Sequence, residues 1–237
     1  IEMNLERLSG SRVYSALDAA AAYNVIPVSK ESRPLLAFIT PMGLFTFKRM
    51  PFGPRNSGAC YARFIETLLG QMGSDAVCAY LDDILVYTKD LEGHLYELER
   101  TLEMHKRANI KLRPKKTKLF TVSADYLGFH VSESGVSMQD SYVERILEWP
   151  APKTPKEMNT FLGFVGYYRS FIREFSSLTH AMNAQRKEKT LTWTEEMQHD
   201  FEELKKAFEK RPIRSYPRYD IEEKFQITTD LRAMSIG

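Results

Sequence analysis

Along the first third of the chain, apolar positions come in short runs separated by turn-forming residues. Val13 to Asp18 and Asn24 to Val28 flank a bend of small residues, and both runs are expected as strands. Leu36 to Thr40 and Leu44 to Phe47 are expected to pair around Pro41-Met42-Gly43, whose proline and glycine suit a hairpin turn. Met50 to Pro54 breaks the pattern, because its two prolines and one glycine fit neither a helix interior nor a central strand. A helix is expected from about Ser57 to Leu69, ending at Gly70. Ala76 to Tyr80 and Ile84 to Tyr87 are near-continuous apolar runs with Leu81, Asp82 and Asp83 between them. This pattern predicts a hairpin buried on both faces, with two acids at its tip.

Asp90 can cap the next helix, on which Leu91, Leu95, Leu98 and Leu102 recur with the spacing of one buried face. Strands are expected again at Lys118 to Val122, Tyr126 to Val131 and Gly135 to Met138. The character changes near Asp140, beyond which helices are expected at Ser141 to Trp149, Pro155 to Phe164, Tyr167 to Phe175 and Glu195 to Lys210. Thr154 and Glu157 form a capping box with Pro155 at the first helical position, and Met197, Phe201, Leu204 and Phe208 line one face of the last helix. Subdomain boundaries are placed at Asp140 and near Arg214, and Lys224 to Thr229 reads as the opening of another strand.

Composition narrows the class. Hydrophobic residues make up 43% and charged residues 27% of the 237 positions. Both are near the averages of soluble domains, which argues against disorder and fibrous repeats. No run approaches the roughly 18 to 20 apolar residues of a membrane span; the stretch around Phe161 to Tyr168 is bounded by Asn159 and Arg169. Cys60 and Cys78 show no CxxC spacing, so an intracellular, cytoplasmic setting is expected. The ends at Ile1 and Gly237 read as cuts in something longer.

The net charge of +2 conceals segregation. Asp75, Asp82, Asp83, Asp90, Glu92, Glu97, Glu99 and Glu103 face only Lys89 and Arg100 in their stretch. From Met104 to Lys118 the chain holds Lys106, Arg107, Lys111, Arg113, Lys115, Lys116 and Lys118 with no acid. Such a run is either a solvated face or a surface for a phosphate-rich polymer, whose binding releases counterions. Tyr167, Tyr168 and Phe171, interleaved with Arg169 and Arg173, are expected in the core rather than as stacking platforms.

Asp82 and Asp83 either sit in a solvated turn or share a cation, since like charges this close are costly unless neutralised. Asp18 ends another apolar strand. Three carboxylates without a His or Cys cluster suit hard cations such as magnesium. Two such ions about 3.5 to 4 Å apart can promote phosphoryl transfer.

The strings SALDAAAAYNVIPV from Ser15, KRMPFGPRNS from Lys48, YLDDILVYT from Tyr80, KLRPKKTKLF from Lys111 and YLGFHVS from Tyr126 resemble the ordered motifs of a reverse transcriptase. The fit is closest to gypsy-type LTR retrotransposons and covers nearly the whole chain. The resemblance implies an α+β fold. Residues 1–139 would form a right-hand polymerase palm, a ferredoxin-like antiparallel sheet with helices on one face, with partial fingers. Residues 140–213 would form a helical thumb and linker, and 214–237 the start of an RNase H-like domain. It implies RNA-directed DNA synthesis, in which a primer 3′-hydroxyl attacks the α-phosphate of a dNTP.

Residue by residue, Asp18, Asp82 and Asp83 match the carboxylates that hold two Mg2+ ions. Tyr23 matches the aromatic gate against a ribose 2′-hydroxyl. Ala22, Phe52, Gly53 and Leu81 match other positions of the nucleotide pocket. Lys115 or Lys116 matches the lysine proposed to protonate pyrophosphate, and Tyr126, Leu127 and Gly128 match the primer grip. The implied partners are an RNA or DNA template with primer, dNTPs, and the rest of a pol polyprotein with fingers upstream and RNase H downstream; no membrane is implied.

The chain departs from the family in places. The pattern PFGLxNAP reads Pro51-Phe52-Gly53-Pro54-Arg55-Asn56-Ser57-Gly58, which bears on the start of the following helix and the detail of the pocket. Ile227 to Asp230 resembles the first strand and first acid of RNase H, whose other carboxylates are missing, so no RNase H activity is expected of this piece. Two rivals are an inactive nucleic-acid-binding remnant and an RNA-dependent RNA polymerase. Tyr23 and the RNase H-like ending disfavour the second.

Overall fold

The computed structural model describes residues 2–216, 231–232 and 235–236. A short helix, α1 (Glu2–Glu6), precedes strand β1 (Val13–Ala20). A separate hairpin of β2 (Ala37–Thr40) and β3 (Gly43–Thr46) turns at Pro41-Met42, as expected. Helix α2 (Ser57–Met72) leads to the hairpin of β4 (Val77–Tyr80) and β5 (Asp83–Thr88). Helix α3 (Leu91–Arg107) leads to β6 (Lys111–Leu112) and β7 (Lys118–Thr121). Strand β1 lies inside the sheet these strands form, antiparallel to β5 on one side and to β6 and β7 on the other.

Alternation along β5 explains why its sequence is apolar throughout. Ile84 and Val86 join Leu17, Val77 and Leu98 on the α3 side, while Leu85 and Tyr87 join Tyr14 and Cys78 on the other. A sheet covered on both faces needs apolar residues at both parities. The second cover is a three-stranded sheet of β8 (Ser123–Tyr126), β9 (Phe129–Ser132) and β10 (Gly135–Met138), followed by helices α4 (Asp140–Leu147), α5 (Pro155–Gly166), α6 (Phe175–Leu178), α7 (His180–Ala184) and α8 (Glu195–Glu209). Met197, Phe201, Leu204 and Phe208 are all buried, and the largest core cluster runs from Tyr14 through Val131 to Phe161 and Phe208. The main sheet and the helices therefore share one core. Among the described residues no helix is long and apolar enough to cross a membrane.

Several local expectations are corrected. Asn24 to Val28 is not a strand: Ala21 turns left-handed (φ 50), a 3-10 turn covers Ala22–Val25, and only Pro27 makes a bridge, to Arg49. Helix α2 passes through Gly70 and stops at Gly73, whose φ of 61 suits a glycine cap and whose N–H donates to the Leu69 carbonyl at 3.0 Å. Tyr126 to Val131 is two strands, split by a turn with Leu127 and Gly128 at φ 52 and 84. Tyr167 to Phe175 is not one helix but a 3-10 turn, Arg169–Phe171, ended at extended Ile172, with left-handed Glu174 leading into α6. In the capping box, Thr154 Oγ1 accepts from Glu157 N at 3.2 Å, but the Glu157 carboxylate accepts from Lys153 N rather than from Thr154. The strand expected at Lys224 to Thr229 and the acid Asp230 lie outside the described residues.

The leucine face of α3 is also corrected. Leu98 is buried, but Leu91 and Leu95 are 56% and 53% exposed, and the face turned to the sheet carries His94, Leu98, Thr101, Met104 and His105. His94 is accommodated by a complete set of partners. Thr88 Oγ1 donates to the Asp90 carbonyl (2.8 Å), so it accepts from His94 Nδ1 (3.0 Å). Nε2 is then left to accept from the Ser15 hydroxyl at 2.7 Å, and Ser15 Oγ accepts from Phe120 N at 3.1 Å. Burial holds the His94 pKa below its ordinary value, which favours the neutral ring that these bonds require.

After α8 the chain returns to the sheets. Arg214 exchanges backbone hydrogen bonds with Val136 (2.8 and 2.9 Å), and Gly135 lies under the strap at φ 136, where a Cβ would stand 2.5 Å from the Arg214 carbonyl oxygen. Gly135→Ala should therefore cost about 2 kcal/mol or more, from backbone strain and the clash together. Urea denaturation of the two proteins checks this; an unchanged midpoint would show that the strap is not fixed there.

Candidate active site

The pairing of β1 with β5 sets the site. Its register puts Asp18 opposite Asp83, which brings their Cβ atoms to about 4.5 to 5.5 Å. Both share the parity of Leu85 and Tyr14, so they project from the face away from α3. Asp82 occupies the two-residue turn with Leu81, whose φ of 52 closes the hairpin, and the Asp82 carbonyl accepts from Ala19 N at 3.0 Å. All three acids thus lie at one end of the sheet.

Their environments differ. Asp82 and Asp83 are exposed, whereas the Asp18 side chain is only 16% exposed. Asp18 Oδ1 is buried without a hydrogen bond: Arg113 Nη1 stands 3.0 Å away as an ion pair but out of alignment, and Lys116 Nζ is 3.6 Å from Oδ2. Burial raises the pKa of Asp83; the charges of Asp82 and Asp18 add to the rise, and Lys116 opposes it. Among the described residues no three His, Cys, Asp or Glu groups converge as a ready metal-binding set. The donor chemistry nevertheless fits a divalent cation. The cluster is all oxygen, its like charges repel, and one buried carboxylate oxygen lacks a hydrogen bond.

Beside the acids lies a cavity of about 250 Å³ lined by Ala19, Ala21, Ala22, Tyr23, Phe52, Asp82 and Arg113. The Tyr23 ring is fixed edge-on against Phe52 and Tyr61, at centroid distances of 5.0 and 5.4 Å. Gly53 (φ 108) and Leu81 do not line the cavity; the Leu81 side chain lies near Gly58. Helix α2 begins at Ser57 despite the departures there, with the Ser57 hydroxyl donating to the Pro51 carbonyl. Lys115 is exposed and has no ion-pair partner among the described residues. Arg113 and Tyr61 were not anticipated as site residues. Tyr61 is buried, its hydroxyl has no hydrogen-bond partner, and burial together with the Asp82 charge raises its pKa to about 12.

The third expected group divides. Tyr126 is buried in the core and its pKa is raised by desolvation, so its ring does not face solvent. The Leu127–Gly128 turn does reach the surface, held by two helical-region tyrosines. Tyr167 Oη donates to the Leu127 carbonyl at 2.9 Å, and Tyr168 Oη to the Gly128 carbonyl at 3.2 Å. Tyr168 is core, as expected, whereas Tyr167 is half exposed.

An α+β fold whose antiparallel sheet carries three acids at one end, beside a cavity, has the build of a polymerase-like palm. The family description "Reverse transcriptase (RNA-dependent DNA polymerase)" matches residues 2–131, and the chain belongs to that family. It is 32% identical to the Transposon Tf2-3 polyprotein of Schizosaccharomyces pombe over 238 aligned positions, and 31% identical to the Tf2-7 polyprotein. Each alignment covers 100% of this chain and 18% of the relative, so the chain spans under a fifth of the curated relatives it matches. Among solved structures, it resembles the foamy viral protease-reverse transcriptase in complex with RNA/DNA hybrid: TM-score 0.80, 24% identity, 90% of this chain and 29% of that one. A form of that protein in complex with double-stranded DNA gives TM-score 0.84 at 23% identity, covering 92% and 39%.

The raised pKa of Asp83 has a consequence for stability. The native state binds the Asp83 proton more tightly than the unfolded chain does. Its contribution therefore falls as pH rises from the ordinary carboxylate value through the raised one, and at pH 7 the ionised group opposes folding. Asp83→Asn should raise the melting temperature in EDTA at pH 7, modestly because the group reaches solvent. Added divalent cation should narrow the gap. A lower melting temperature for Asp83→Asn in EDTA would contradict this.

Proposed function

We propose that the chain is the palm and thumb of an RNA-directed DNA polymerase from a gypsy-type element polyprotein, extending a primer 3′-hydroxyl with dNTPs. The observation that carries the reading is the Asp18–Asp83 register, with Asp82 in the adjoining turn and the Tyr23 cavity beside them. Asp18, Asp82 and Asp83 would hold two magnesium ions, which when bound lower the barrier to phosphoryl transfer by activating the hydroxyl and neutralising the leaving pyrophosphate.

The chain's own residues do the rest. Ala22 and Phe52 line the cavity, and Tyr23, wedged between Phe52 and Tyr61, presents a rigid ring where a ribose 2′-hydroxyl would collide. Lys116 is engaged with Asp18, which leaves Lys115 as the freer proton donor to pyrophosphate. The backbone of Leu127 and Gly128, braced by Tyr167 and Tyr168, positions the primer end. The basic run from Lys106 to Lys118 suits a template–primer duplex, and hybrid and duplex DNA in the foamy viral structures support that partner class. Transposon polyproteins among the relatives support a place within a longer protein. In this reading fingers lie upstream and RNase H downstream, with residues 1–139 as palm and partial fingers, 140–213 as thumb and linker, and 214–237 as the entry to RNase H. The two unpaired cysteines suit a cytoplasmic site of action.

In the full-length protein, Asp82→Asn or Asp83→Asn is expected to abolish extension of oligo(dT) on poly(rA) with Mg2+. Full activity in either variant would remove the metal assignment, and an inactive parent would favour the inert remnant. Tyr23→Val should raise ribonucleotide incorporation relative to the parent in the same assay; equal discrimination would take the gate role from Tyr23.

A further inference from the structure

Asp18 is the enclosed carboxylate of the cluster, and what encloses it is basic. Arg113 and Lys116 lie 3.0 and 3.6 Å from its two oxygens. A carboxylate facing Asp83 across the ladder needs such compensation while no cation is bound. The backbone of Arg113 is tightly tied. Its N–H donates to the Asp18 carbonyl at 2.9 Å, and its own carbonyl accepts from Lys116 N (3.1 Å), Thr117 N (3.0 Å) and Thr117 Oγ1 (3.0 Å). The side chain is not tied in the same way. It is 42% exposed, meets Oδ1 without hydrogen-bond alignment, and borders the cavity lined by Tyr23, Phe52 and Asp82.

We propose that Arg113 is a positioning residue that exchanges partners: it neutralises Asp18 in the metal-free site and, once a divalent cation takes that carboxylate, turns into the cavity to hold the nucleotide's phosphates. The inference rests on the polymerase reading above. A guanidinium is permanently charged and carries five donors in a fork that fits phosphate oxygens two at a time, so either partner keeps it neutralised. The fixed backbone at Asp18 limits the exchange to side-chain torsions. Lys116, a single ammonium on a flexible stem, stays as the weaker counter-charge.

Electron paramagnetic resonance of free Mn2+, titrated with the 237-residue chain in the absence of nucleotide, tests the first half. Arg113→Gln and Arg113→Met, each checked for fold by circular dichroism, should bind Mn2+ several-fold more tightly than the parent, because a competing cation is gone. Arg113→Lys should stay near the parent. Binding of dTTP at saturating Mn2+ tests the second half, with several-fold weaker affinity in the neutral variants and partial recovery in Arg113→Lys. Parental Mn2+ and dTTP affinities in the neutral variants would overturn the proposal. Asp18→Asn should bind Mn2+ most weakly; parental affinity there would instead defeat the metal reading on which the proposal rests.

Discussion

Two carboxylates facing each other across the β1–β5 ladder are the constraint on which the rest of the molecule depends. Repulsion between Asp18 and Asp83 would be relieved by a slip of the strands, yet a slip of one residue would turn Ile84 and Val86 away from α3 and expose both apolar sets. Burial on both faces of β5 therefore holds the acids together against their charge. The His94 network does the same from the helix side, tying α3 to β1, β5 and β7 through Ser15, Thr88 and Phe120.

The helical region is fastened to this sheet at two tight places, both requiring glycine. At Gly128 (φ 84) a Cβ would lie 2.8 Å from Tyr168 Oη, so the tyrosine can reach the turn carbonyl only because no side chain intervenes. At Gly135 the strap after α8 comes closer still, and Arg211 pairs with Asp140 at the base of α4. With a core continuous from Tyr14 to Phe208, these contacts tie the Leu127–Gly128 turn to the helices.

Much of this was legible in the residues. The twofold apolar runs around Asp82-Asp83 implied a doubly covered hairpin, and the spacing of Met197, Phe201, Leu204 and Phe208 implied the buried face of α8. Illegible were features that depend on tertiary partners. The leucines of α3 match a buried stripe as well as His94, Thr101 and His105 do, and the hydroxyls of Ser15 and Thr88 are what admit His94 to the buried face. Gly70 and Gly73 are equivalent as letters, and the positive φ falls on the second. Tyr126 was assigned to the primer grip by its match to the family motif, but its strand parity turns it into the core. Arg113 was one charge within a basic run until the β1–β6 pairing set its backbone beside Asp18.

The central claim is that Asp18, Asp82 and Asp83 form one cation site beside a nucleotide cavity. Anomalous scattering from crystals of the full-length protein with template–primer, an incoming nucleotide and Mn2+ would test it most directly. The expected result is two manganese peaks among these three carboxylates, with the base and sugar against Tyr23 and the phosphates within reach of Arg113. An ordered nucleotide with no manganese at Asp18 and Asp83, or manganese held by other residues, would contradict it.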